Sequence, residues 1–438
     1  MINLLVEGWR LIPHSYAQVL CFQLIHFYKM YGPNGINGNL LTIYFKESLY
    51  YNIDWYNKLN LLYSNEYNKI LINFKEYNNE KVDIIYRITF PYNITVFEND
   101  KNIPKCIFYT SEFKEIDYRY FKATYPENII EESEKEEYIS IFINYFRNIY
   151  FTSPSVWSSN GIIPYFKSDQ SLYNRNKIIT HGVDTTIFNR LQNNKLIRNK
   201  IRQEYGVHDT DILLINIGAM THNKGIYLII ELLHHLINKF GKTNYKLILK
   251  GNGDMYYSNL NIEAAFGRLQ RQGRISIDES INLLNYIIFV DKMLTYEEIN
   301  NLYNASDLYV SPYLAEGFGL TILESLASGL NVLVPKTGST KEYIDAIHEN
   351  GGSDFIFYVE SIIIEKEQEQ EQKKRKFMNK IEIEDLVNLV INNEHKFKNV
   401  KDNVQMFYFI QNNYSWYNVC QQLYDYFNEI VNNNIIIQ

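Results

Sequence analysis

The sequence is poor in cysteine, in proline and in long apolar runs, and these shortages exclude several classes of protein. Three cysteines occur in 438 residues, at Cys21, Cys106 and Cys420, and proline occurs 9 times. The cysteines are odd in number and widely spaced, which excludes a disulfide framework and the close cysteine pairs of structural zinc sites. Proline at this level excludes a proline-rich, extended chain. We therefore expect a folded protein in a reducing compartment.

No apolar stretch approaches the ~20 residues that a membrane-spanning helix needs. The stretch from Ile226 to Ile237, for example, is interrupted by Glu231 and His234. The first ten residues include Glu7 and Arg10, where a signal peptide has its apolar segment. These features predict a cytoplasmic protein, and they leave peripheral contact with a membrane open.

The chain also has no excess of basic over acidic residues. Lys and Arg total 43 against 50 Asp and Glu, which gives a net charge of −7 and a pI near 5.8. Such a surface repels the phosphate backbone, so a nucleic-acid partner is not expected, although one small anion could still bind a local basic pocket. Hydrophobic residues make up 46% and charged residues 21%, which is typical of globular proteins. The length predicts two or three domains.

Short apolar runs alternate with helical patterns twice along the chain. The first series begins with Ile2–Val6 and the second with Ile212–Ile217, and such alternation favours α/β units with parallel sheets. Two segments, near residues 255–285 and 361–380, look inserted into this pattern. The second contains the charge block EKEQEQEQKKRK, which is typical of a solvated helix or a disordered loop.

The most informative stretch is SPYLAEGFGLTILESLASGLNVLVP, residues 311–335. A predicted strand ends at Pro312, and a loop with two glycines leads into a helix near Leu320. Glycines let backbone N–H groups approach a ligand closely, and a helix N-terminus favours an anion. Glu316 in the loop and Glu324 in the helix are eight residues apart, so one carboxylate is available near the loop and another about one turn inside the helix.

The segment EGFGLTILE, from Glu316 to Glu324, resembles the E-x7-E signature of retaining glycosyltransferases with the GT-B fold, in particular glycosyltransferase family 4. Other segments resemble motifs of that family in the same order. They are THGVDTTIF, IGAMTHNKGI, LKGNGD, NNLYNASDLYVSPY, KTGSTKEYI and the terminal NNYSWYNVCQQLYDYF. The resemblance covers most of residues 150–345 and the terminal helix, and it is weak over residues 1–150.

This resemblance implies the GT-B fold, which has two Rossmann-like doubly wound domains facing across a cleft and a C-terminal helix that packs back on the first domain. We accordingly assign residues 1–188 to an N-terminal, acceptor-side domain, to which a helix over residues 415–438 returns. Residues 189–414 would form the C-terminal domain that binds a nucleotide sugar.

The resemblance also implies roles for individual residues. Lys224 would hold a donor phosphate and Glu316 would contact hydroxyls of the transferred sugar, which makes these two the expected catalytic residues. Glu324 would bind the ribose hydroxyls of the nucleotide. The remaining expected donor-binding positions are Gly218, Gly251, Gly253, Gly317, Phe318, Gly319, Leu320 and Thr321. No metal and no cofactor are expected, because the nucleoside-diphosphate sugar is itself a substrate.

One position departs from the family pattern. The family usually has Arg immediately after the first-loop glycine, but Ala219 stands there. The phosphate site would thereby lose a bidentate hydrogen-bond donor. Another cation would have to compensate, or activity would be weak or lost. The candidates are Lys250, Lys292, His222 and Arg10.

The acceptor side is expected at loops that follow strands of the first domain, since open α/β sheets bind ligands at the carboxyl ends of their strands. Gly8, Arg10 and Ser15 lie in or beside the loop after the first strand. Arg87 and Glu112 lie at or just after the ends of two later strands.

The hypothesis is a retaining, metal-independent glycosyltransferase that moves a sugar to a hydroxyl of a carbohydrate, lipid or glycoprotein acceptor. Two alternatives stay open, namely a nucleotide-sugar epimerase or phosphorylase on the same fold, and a catalytically degraded nucleotide-sugar-binding or scaffold subunit. Residues Asp209–Asp211 match the D-x-D motif of metal-dependent glycosyltransferases of the other major fold. They lie before a strand, at the end opposite the expected site, and are interpreted as a turn. A G-x-G-x-x-G motif does not follow the first strand, which disfavours a dinucleotide oxidoreductase.

Overall fold

The computed structural model describes residues 1–10, 12–48, 62–126, 128–129, 131–166, 173–191, 194–366, 376–398 and 402–437. The chain divides into two compact units. Unit 1 contains Met1–Gly182 and the chain from Tyr414 onward, and unit 2 contains the described residues from Val183 to Asn413. The division between Gly182 and Val183 lies a few residues before the boundary after residue 188 that the sequence suggested.

Unit 1 is built on a seven-stranded sheet in the order β3-β2-β1-β4-β6-β8-β9, in which every neighbouring pair is parallel. A separate parallel pair is formed by β5 and β7. The strands are β1 Ile2–Gly8, β2 Leu41–Glu47, β3 Lys75–Glu76, β4 Ile84–Ile88, β5 Tyr92–Asn93, β6 Lys105–Phe108, β7 Phe121–Lys122, β8 Ile149–Ser153 and β9 Asn176–Ile178. The helices up to this point are α1 Ser15–Tyr31, α2 Asn65–Ile72, α3 Glu132–Tyr145 and α4 Val156–Ser159, with 3₁₀ turns at Tyr118–Tyr120 and Ile163–Phe166.

The order of the strands in unit 1 reverses at β1. The chain first adds strands on one side of β1 and then returns to place β4 on its other side. All residues of β4 are buried, and β1 reads INLLVEG with six of its seven residues buried, which is the apolar pattern expected of strands covered on both faces. The loops after β1 and β4 therefore meet at a switch point, where open α/β sheets form their ligand crevice.

Unit 2 repeats this architecture with a six-stranded parallel sheet in the order β12-β11-β10-β13-β14-β15. Its strands are β10 Ile212–Ile217, β11 Tyr245–Lys250, β12 Ile287–Val290, β13 Leu308–Val310, β14 Asn331–Pro335 and β15 Ile356–Val359. Its helices are α5 Asn194–Glu204, α6 Ile226–His234, α7 Gly253–Tyr256, α8 Ser258–Arg271, α9 Ile277–Leu283, α10 Tyr296–Ala305, α11 Leu320–Ala327, α12 Lys341–Ile347, α13 Ile383–Phe397 and α14 Val404–Tyr414. A π turn, His235–Lys239, continues α6. The switch point lies between β10 and β13.

Residues 255–285, which looked inserted, have an ordinary place in this sheet. They carry half of α7 and all of α8 and α9, and they connect β11 to β12, which pair in parallel. Two parallel neighbours need a crossover of a dozen or more residues, usually helical. The sequence suggested an insertion because these residues interrupt the strand pattern directly after the turn of Gly251 and Gly253.

Residues 361–380 include an antiparallel hairpin of β16 Ile362–Lys366 and β17 Lys376–Lys380, separate from the parallel sheet. The expectation of a helix or a disordered loop is therefore wrong at its two ends, where residues of the charge block pair as strands. The centre of the block, residues 367–375, lies outside the described residues.

The last helix, α15 Trp416–Ile437, belongs to unit 1 and packs on α1. The ring of Trp416 is stacked on that of Phe22, with centroids 5.7 Å apart and an interplanar angle of 9°, and Tyr424 is stacked on Tyr31 at 4.1 Å. A Cβ at Gly182 would come within 2.8 Å of Trp416, so only glycine fits there. The predicted return of the terminal helix to the first unit is confirmed.

The described helices include none that is long and apolar enough to cross a membrane.

Replacement of Trp416 by alanine is expected to destabilise unit 1 by about 3–5 kcal/mol, because a fully buried indole and its stacking partner are lost. Urea unfolding followed by circular dichroism, together with hydrogen exchange of α1 peptides, measures the loss. Tyr417 on the same helix is 40% exposed, so Tyr417→Ala serves as the matched control and is expected to have a much smaller effect. Equal losses for the two variants would contradict the assigned packing.

Candidate functional site

Two loops meet at the switch point of unit 2, one after β10 and one after β13. They are neighbours because β10 and β13 pair in parallel, with Leu214 opposite Leu308 and Ile215 opposite Tyr309. The first loop, residues 218–225, contains a 3₁₀ turn over His222–Lys224. The second, residues 311–319, leads into α11. Every residue of the predicted E-x7-E signature lies in this second loop or in α11.

Gly225 lets the two loops approach each other. Its φ is +72°, and a Cβ there would lie 2.2 Å from the carbonyl oxygen of Pro312. The carbonyl oxygen of Asn223 accepts hydrogen bonds from the backbone N–H groups of Leu314 at 2.7 Å and Ala315 at 3.1 Å. The Asn223 side chain donates to the Ala315 carbonyl oxygen at 3.2 Å. The loops are therefore fixed to one another through backbone groups on both sides.

Lys224 and Glu316 form an ion pair at this junction. Lys224 Nζ lies 2.7 Å from Glu316 Oε2, and the side chains are 24% and 16% exposed. Glu316 Oε1 accepts a hydrogen bond from the N–H of Gly317 at 3.1 Å. The two residues expected to be catalytic are thus brought together, 92 positions apart in the sequence. Both remain accessible from solvent, as a ligand-binding pair must be.

Gly319 begins α11 in the left-handed conformation, with φ +87°. Tyr343 covers this turn, because its hydroxyl donates to the Gly319 carbonyl oxygen at 3.2 Å and its ring is stacked on Phe318 with centroids 4.7 Å apart. The Thr321 hydroxyl accepts from the Tyr309 hydroxyl at 2.7 Å. Tyr343 and Tyr309 therefore hold the loop Gly317–Gly319 and the first turn of α11, with Leu320 and Thr321, in one position.

Glu324 lies one turn inside α11 and is 5% exposed. Its Oε2 accepts a hydrogen bond from the hydroxyl of the fully buried Tyr303 at 3.2 Å. Burial, reinforced by the nearby Glu324 charge, raises the pKa of Tyr303 well above its usual range, so Tyr303 remains a donor at physiological pH. A buried carboxylate with a fixed donor is oriented in one direction, which suits a group that binds hydroxyls.

The glycines after β11 are constrained by close packing. A Cβ at Gly251 would come within 2.5 Å of the Ser258 side chain, and one at Gly253 within 2.6 Å of Asp291. The N–H of Gly253 donates to the Asp291 carboxylate. Gly218 differs, because a Cβ there would meet no atom within 4 Å. Space around Gly218 is therefore available to a ligand.

Ala219 stands where the resemblance led us to expect Arg, and two side chains of α8 donate hydrogen bonds to its carbonyl oxygen. Ser258 Oγ donates to it at 3.3 Å and Asn261 Nδ2 at 3.2 Å. Of the four cations proposed to compensate, Lys250 is the best placed. It is the last residue of β11 and pairs with Ile217 at the end of β10, directly before Gly218 and Ala219. Its Nζ donates to the Gly251 carbonyl oxygen, and burial lowers its pKa to about 8. Lys292 instead lies 3.8 Å from Glu204, with its side chain 59% exposed.

The structure adds Arg268, which sequence reasoning missed. Arg268 Nη1 lies 3.0 Å from Nδ1 of His222, and its guanidinium carbon lies 4.3 Å above the ring of Tyr227. The His222 ring is stacked on Tyr227 with centroids 5.3 Å apart. Arg268 is in α8, 46 residues from His222 and outside every motif, so no local pattern marks it.

In unit 1, Arg87 and Arg10 have structural roles rather than the acceptor-facing roles expected of them. Arg87 is 2% exposed, and its Nε donates to Glu7 Oε2 at 2.6 Å. Burial raises the pKa of Glu7, but Arg87 and Lys46 outweigh it and the net shift is downward. Arg10 is 8% exposed and lies 3.1 Å from Glu47, so it is likewise bound within unit 1.

Gly8 is required for packing, because a Cβ there would come within 2.4 Å of Leu20 in α1. Ser15 is the exposed first residue of α1. Glu112 is half-buried, and its carbonyl oxygen accepts from Trp157 Nε1 at 3.1 Å. Of the five acceptor-side candidates, Ser15 and Glu112 therefore keep accessible positions near strand ends.

An aromatic group, here called the aromatic edge, surrounds the switch point of unit 1. It consists of Trp9, His14, Tyr16, Phe90 and Tyr120. Trp9 and His14 follow β1, and Phe90 follows β4. Phe90 and Tyr120 are 40% and 39% exposed, and their ring centroids lie 5.2 Å apart. Burial, with the charges of Asp117 and Glu112, raises the pKa of Tyr120. No sequence motif predicted this group.

Residues 197–362 match the family Glycosyl transferases group 1. An uncharacterized glycosyltransferase of Methanocaldococcus jannaschii is 26% identical over 153 residues, which cover 34% of this chain and 33% of that protein. Alpha-monoglucosyldiacylglycerol synthase of Streptococcus pneumoniae is 24% identical over 166 residues, which cover 38% of this chain and 34% of that protein. The matches thus span about a third of the length of these relatives.

The fold is similar to solved structures along its whole length. HepE of Anabaena, in complex with UDP and glucose, has a TM-score of 0.61 at 14% identity and covers 98% of this chain and 100% of that chain. Sucrose-phosphate synthase of Thermosynechococcus elongatus has a TM-score of 0.60 at 11% identity, covering 98% and 99%. At such identities the likeness concerns the fold alone, and it confirms the predicted GT-B class.

Replacement of Gly225 by alanine is expected to separate the two loops, because the new Cβ would overlap a backbone carbonyl oxygen that cannot rotate away. Gly206→Ala is the matched control, since Gly206 has a similar φ of +66° and a Cβ there would meet no atom within 4 Å. The control isolates the left-handed strain of about 1 kcal/mol. Gly225→Ala should lose about 1–3 kcal/mol more in urea unfolding. Equal losses would contradict the close approach.

Lys250 is expected to make stability depend on pH. Its pKa is about 8 in the folded protein, against the ordinary value of 10.5 in the unfolded chain. Between these two pH values the unfolded chain keeps the proton on Lys250 and the folded protein has lost it. Stability contributed by this site therefore rises between about pH 8 and pH 10.5, by up to about 3 kcal/mol. The difference in unfolding free energy between wild type and Lys250→Met, measured across this range, isolates the effect. A difference that does not change with pH would contradict the burial of the ammonium group.

Proposed function

Because the chain contains a domain of the Glycosyl transferases group 1 family within a GT-B fold, we propose that it transfers a sugar from a nucleoside-diphosphate sugar to an acceptor hydroxyl. The observation that carries the proposal is the Lys224–Glu316 ion pair at the switch point of unit 2. It supplies a cation for a phosphate and a carboxylate for sugar hydroxyls at the end of the sheet where such folds bind ligands.

On donor binding, Lys224 would exchange its carboxylate partner for an oxygen of the diphosphate. A lysine ammonium is a point charge with three donors, so it can contact a phosphate while it remains near Glu316. The N–H groups of Gly317 and Gly319, at the start of α11, would add a second source of positive potential. Glu316, released from Lys224, would accept hydrogen bonds from hydroxyls of the sugar.

Ala219 leaves the diphosphate without the arginine that the family usually provides. Lys250 is at the end of the neighbouring strand, and Arg268 reaches the loop that carries Lys224 by way of His222. Of these, Lys250 has a pKa near 8 and would become fully protonated beside a phosphate. We propose Lys250 as the compensating cation, with Arg268 holding the His222 turn in place.

The nucleotide end of the donor would be bound by Glu324. Its carboxylate accepts from Tyr303, which orients it for the vicinal hydroxyls of ribose. Binding of both hydroxyls by one oriented carboxylate is the geometry expected for a ribonucleoside diphosphate.

The proposed reaction retains the configuration of the sugar and uses no metal. The bond between the anomeric carbon and the diphosphate oxygen breaks, and the acceptor oxygen forms the new bond on the same face. The acceptor's proton passes to the departing diphosphate. Lys224 and the N-terminus of α11 would stabilise the negative charge that develops on that leaving group.

The acceptor would bind unit 1 near the aromatic edge. Phe90 and Tyr120 are partly exposed, and the charge of Glu112 acts on Tyr120, so the edge offers apolar surface together with one carboxylate. A carbohydrate, a lipid-linked sugar or a glycoprotein would fit this chemistry. The name of the Streptococcus pneumoniae relative, alpha-monoglucosyldiacylglycerol synthase, supports a lipid acceptor in particular, and with it a cytoplasmic protein in peripheral contact with a membrane.

Ala219 also favours a second candidate, a subunit that binds a nucleotide sugar without transferring it. Loss of the bidentate donor lowers stabilisation of the leaving group, which affects the transition state more than the bound donor. Turnover of donor without any glycoside would instead favour an epimerase.

The purified protein is expected to release nucleoside diphosphate when incubated with a panel of nucleotide sugars and an acceptor extract. Lys224→Ala and Glu316→Gln should each lower kcat/KM by about a hundredfold or more, since each removes a charged contact to the reacting groups. Lys101, in an exposed ion pair with Glu98, provides the matched control Lys101→Ala, which should retain wild-type rates.

Three outcomes separate the candidates. Release that depends on both residues supports the transferase. Nucleotide binding by calorimetry, without release and unchanged in both variants, supports the binding subunit. Absence of both binding and release in folded wild-type protein would overturn the proposal.

A further inference from the structure

The hairpin of β16 and β17 is fastened to the loop that carries Glu316. Asn379, in β17, is 3% exposed, and its backbone N–H donates to the carbonyl oxygen of Leu314 at 2.7 Å. Its side-chain Nδ2 donates to the carbonyl oxygen of Tyr313 at 3.2 Å. Glu316 lies two residues after Leu314.

The same side chain joins a second loop, the one after β14. Thr337 Oγ1 donates to Asn379 Oδ1 at 2.6 Å, and the Tyr313 hydroxyl donates to the Thr337 carbonyl oxygen at 3.1 Å. Gly338 has φ +106°, and a Cβ there would lie 3.1 Å from Asn379 Nδ2. Ser361, just before β16, accepts from the Thr337 N–H at 3.2 Å. The hairpin thus contacts both loops through buried polar groups.

Leu314 is consequently held from two sides. Its N–H donates to Asn223 in the loop of Lys224, and its carbonyl oxygen accepts from Asn379. Asn223 therefore connects Leu314 to the loop of Lys224, and Asn379 connects Leu314 to the hairpin. A displacement of Leu314 would move Glu316 relative to Lys224, because only Ala315 separates Leu314 from Glu316 along the chain.

We propose that Asn379 is a positioning residue that fixes Glu316 against Lys224, so that the hairpin in the charged segment 361–380 is part of the catalytic architecture. This inference rests on the proposed transferase function for its kinetic consequence, but its structural consequence stands without it. Correct placement within about 1 Å is what oriented catalytic groups require. Asn379 touches neither of the two charged side chains, so its effect is indirect.

Asn379→Ala removes the side-chain bonds to Tyr313 and Thr337 and leaves the backbone bond to Leu314. Asn331→Ala is the matched control. Asn331 is 6% exposed, and its side chain also makes two hydrogen bonds, to the carbonyl oxygens of Asp307 and Phe397. It lies at the amino-terminal start of β14, whereas the loop of Glu316 follows the carboxyl end of the neighbouring β13. The two variants should lose similar stability, so differences in function reflect position.

Hydrogen exchange and steady-state kinetics test the inference together. In Asn379→Ala, amides of residues 313–319 should exchange at least about tenfold faster, and kcat should fall about tenfold or more while the Kd for nucleoside diphosphate changes little. In Asn331→Ala, exchange of these amides and kcat should stay at wild-type values.

Unchanged exchange at residues 313–319 in Asn379→Ala would overturn the inference, whether or not the protein has transferase activity. An equal fall of kcat in both variants would also overturn it, since the effect would then be one of stability. If wild type lacks transferase activity but exchange responds as expected, the proposed function fails while the positioning role of Asn379 stands.

Discussion

The parallel pairing of β10 with β13 is the constraint on which the site in unit 2 depends. It places the ends of two strands side by side, although nearly a hundred residues separate their loops. Gly225 then allows the loops to touch, and Asn223 binds them through backbone groups. Because these contacts involve the backbone, the separation of Lys224 and Glu316 is set by the sheet and by two turns, and the long side chains make only the final adjustment.

Satisfied buried tyrosines support this arrangement from within the sheet. Tyr303 donates to Glu324, Tyr309 to Thr321 and Tyr313 to the loop after β14. Each ring fills a large buried volume while its hydroxyl hydrogen-bonds to two polar groups in or beside the loops of the candidate site. Burial raises the pKa of all three, so that they act as donors throughout the physiological range. Three of the 38 tyrosines of the chain therefore have a structural use, which composition alone did not indicate.

The sequence predicted the fold class and the centre of the candidate site because both depend on local patterns. Apolar runs and glycine spacing identified the strands and the loop of Glu316, and a family motif identified Lys224. The failures concern contacts between distant residues. Nothing near Arg87 reveals that Glu7 will pair with it across neighbouring strands, and nothing near Arg268 reveals His222. The segment 361–380 was misread because its charge density resembles that of a solvated helix, whereas its ends pair with each other as strands.

The return of α15 to unit 1 has a consequence for synthesis of the protein. Trp416, Tyr424 and Phe427 complete the aromatic core around α1, yet they are translated after all of unit 2. While the ribosome makes residues 183–413, the surface of α1 that will receive these rings has no internal partner. Unit 1 therefore reaches its final core only after all of unit 2 has been made, and a chain interrupted within unit 2 would carry an unfinished apolar face that chaperones and proteases can recognise.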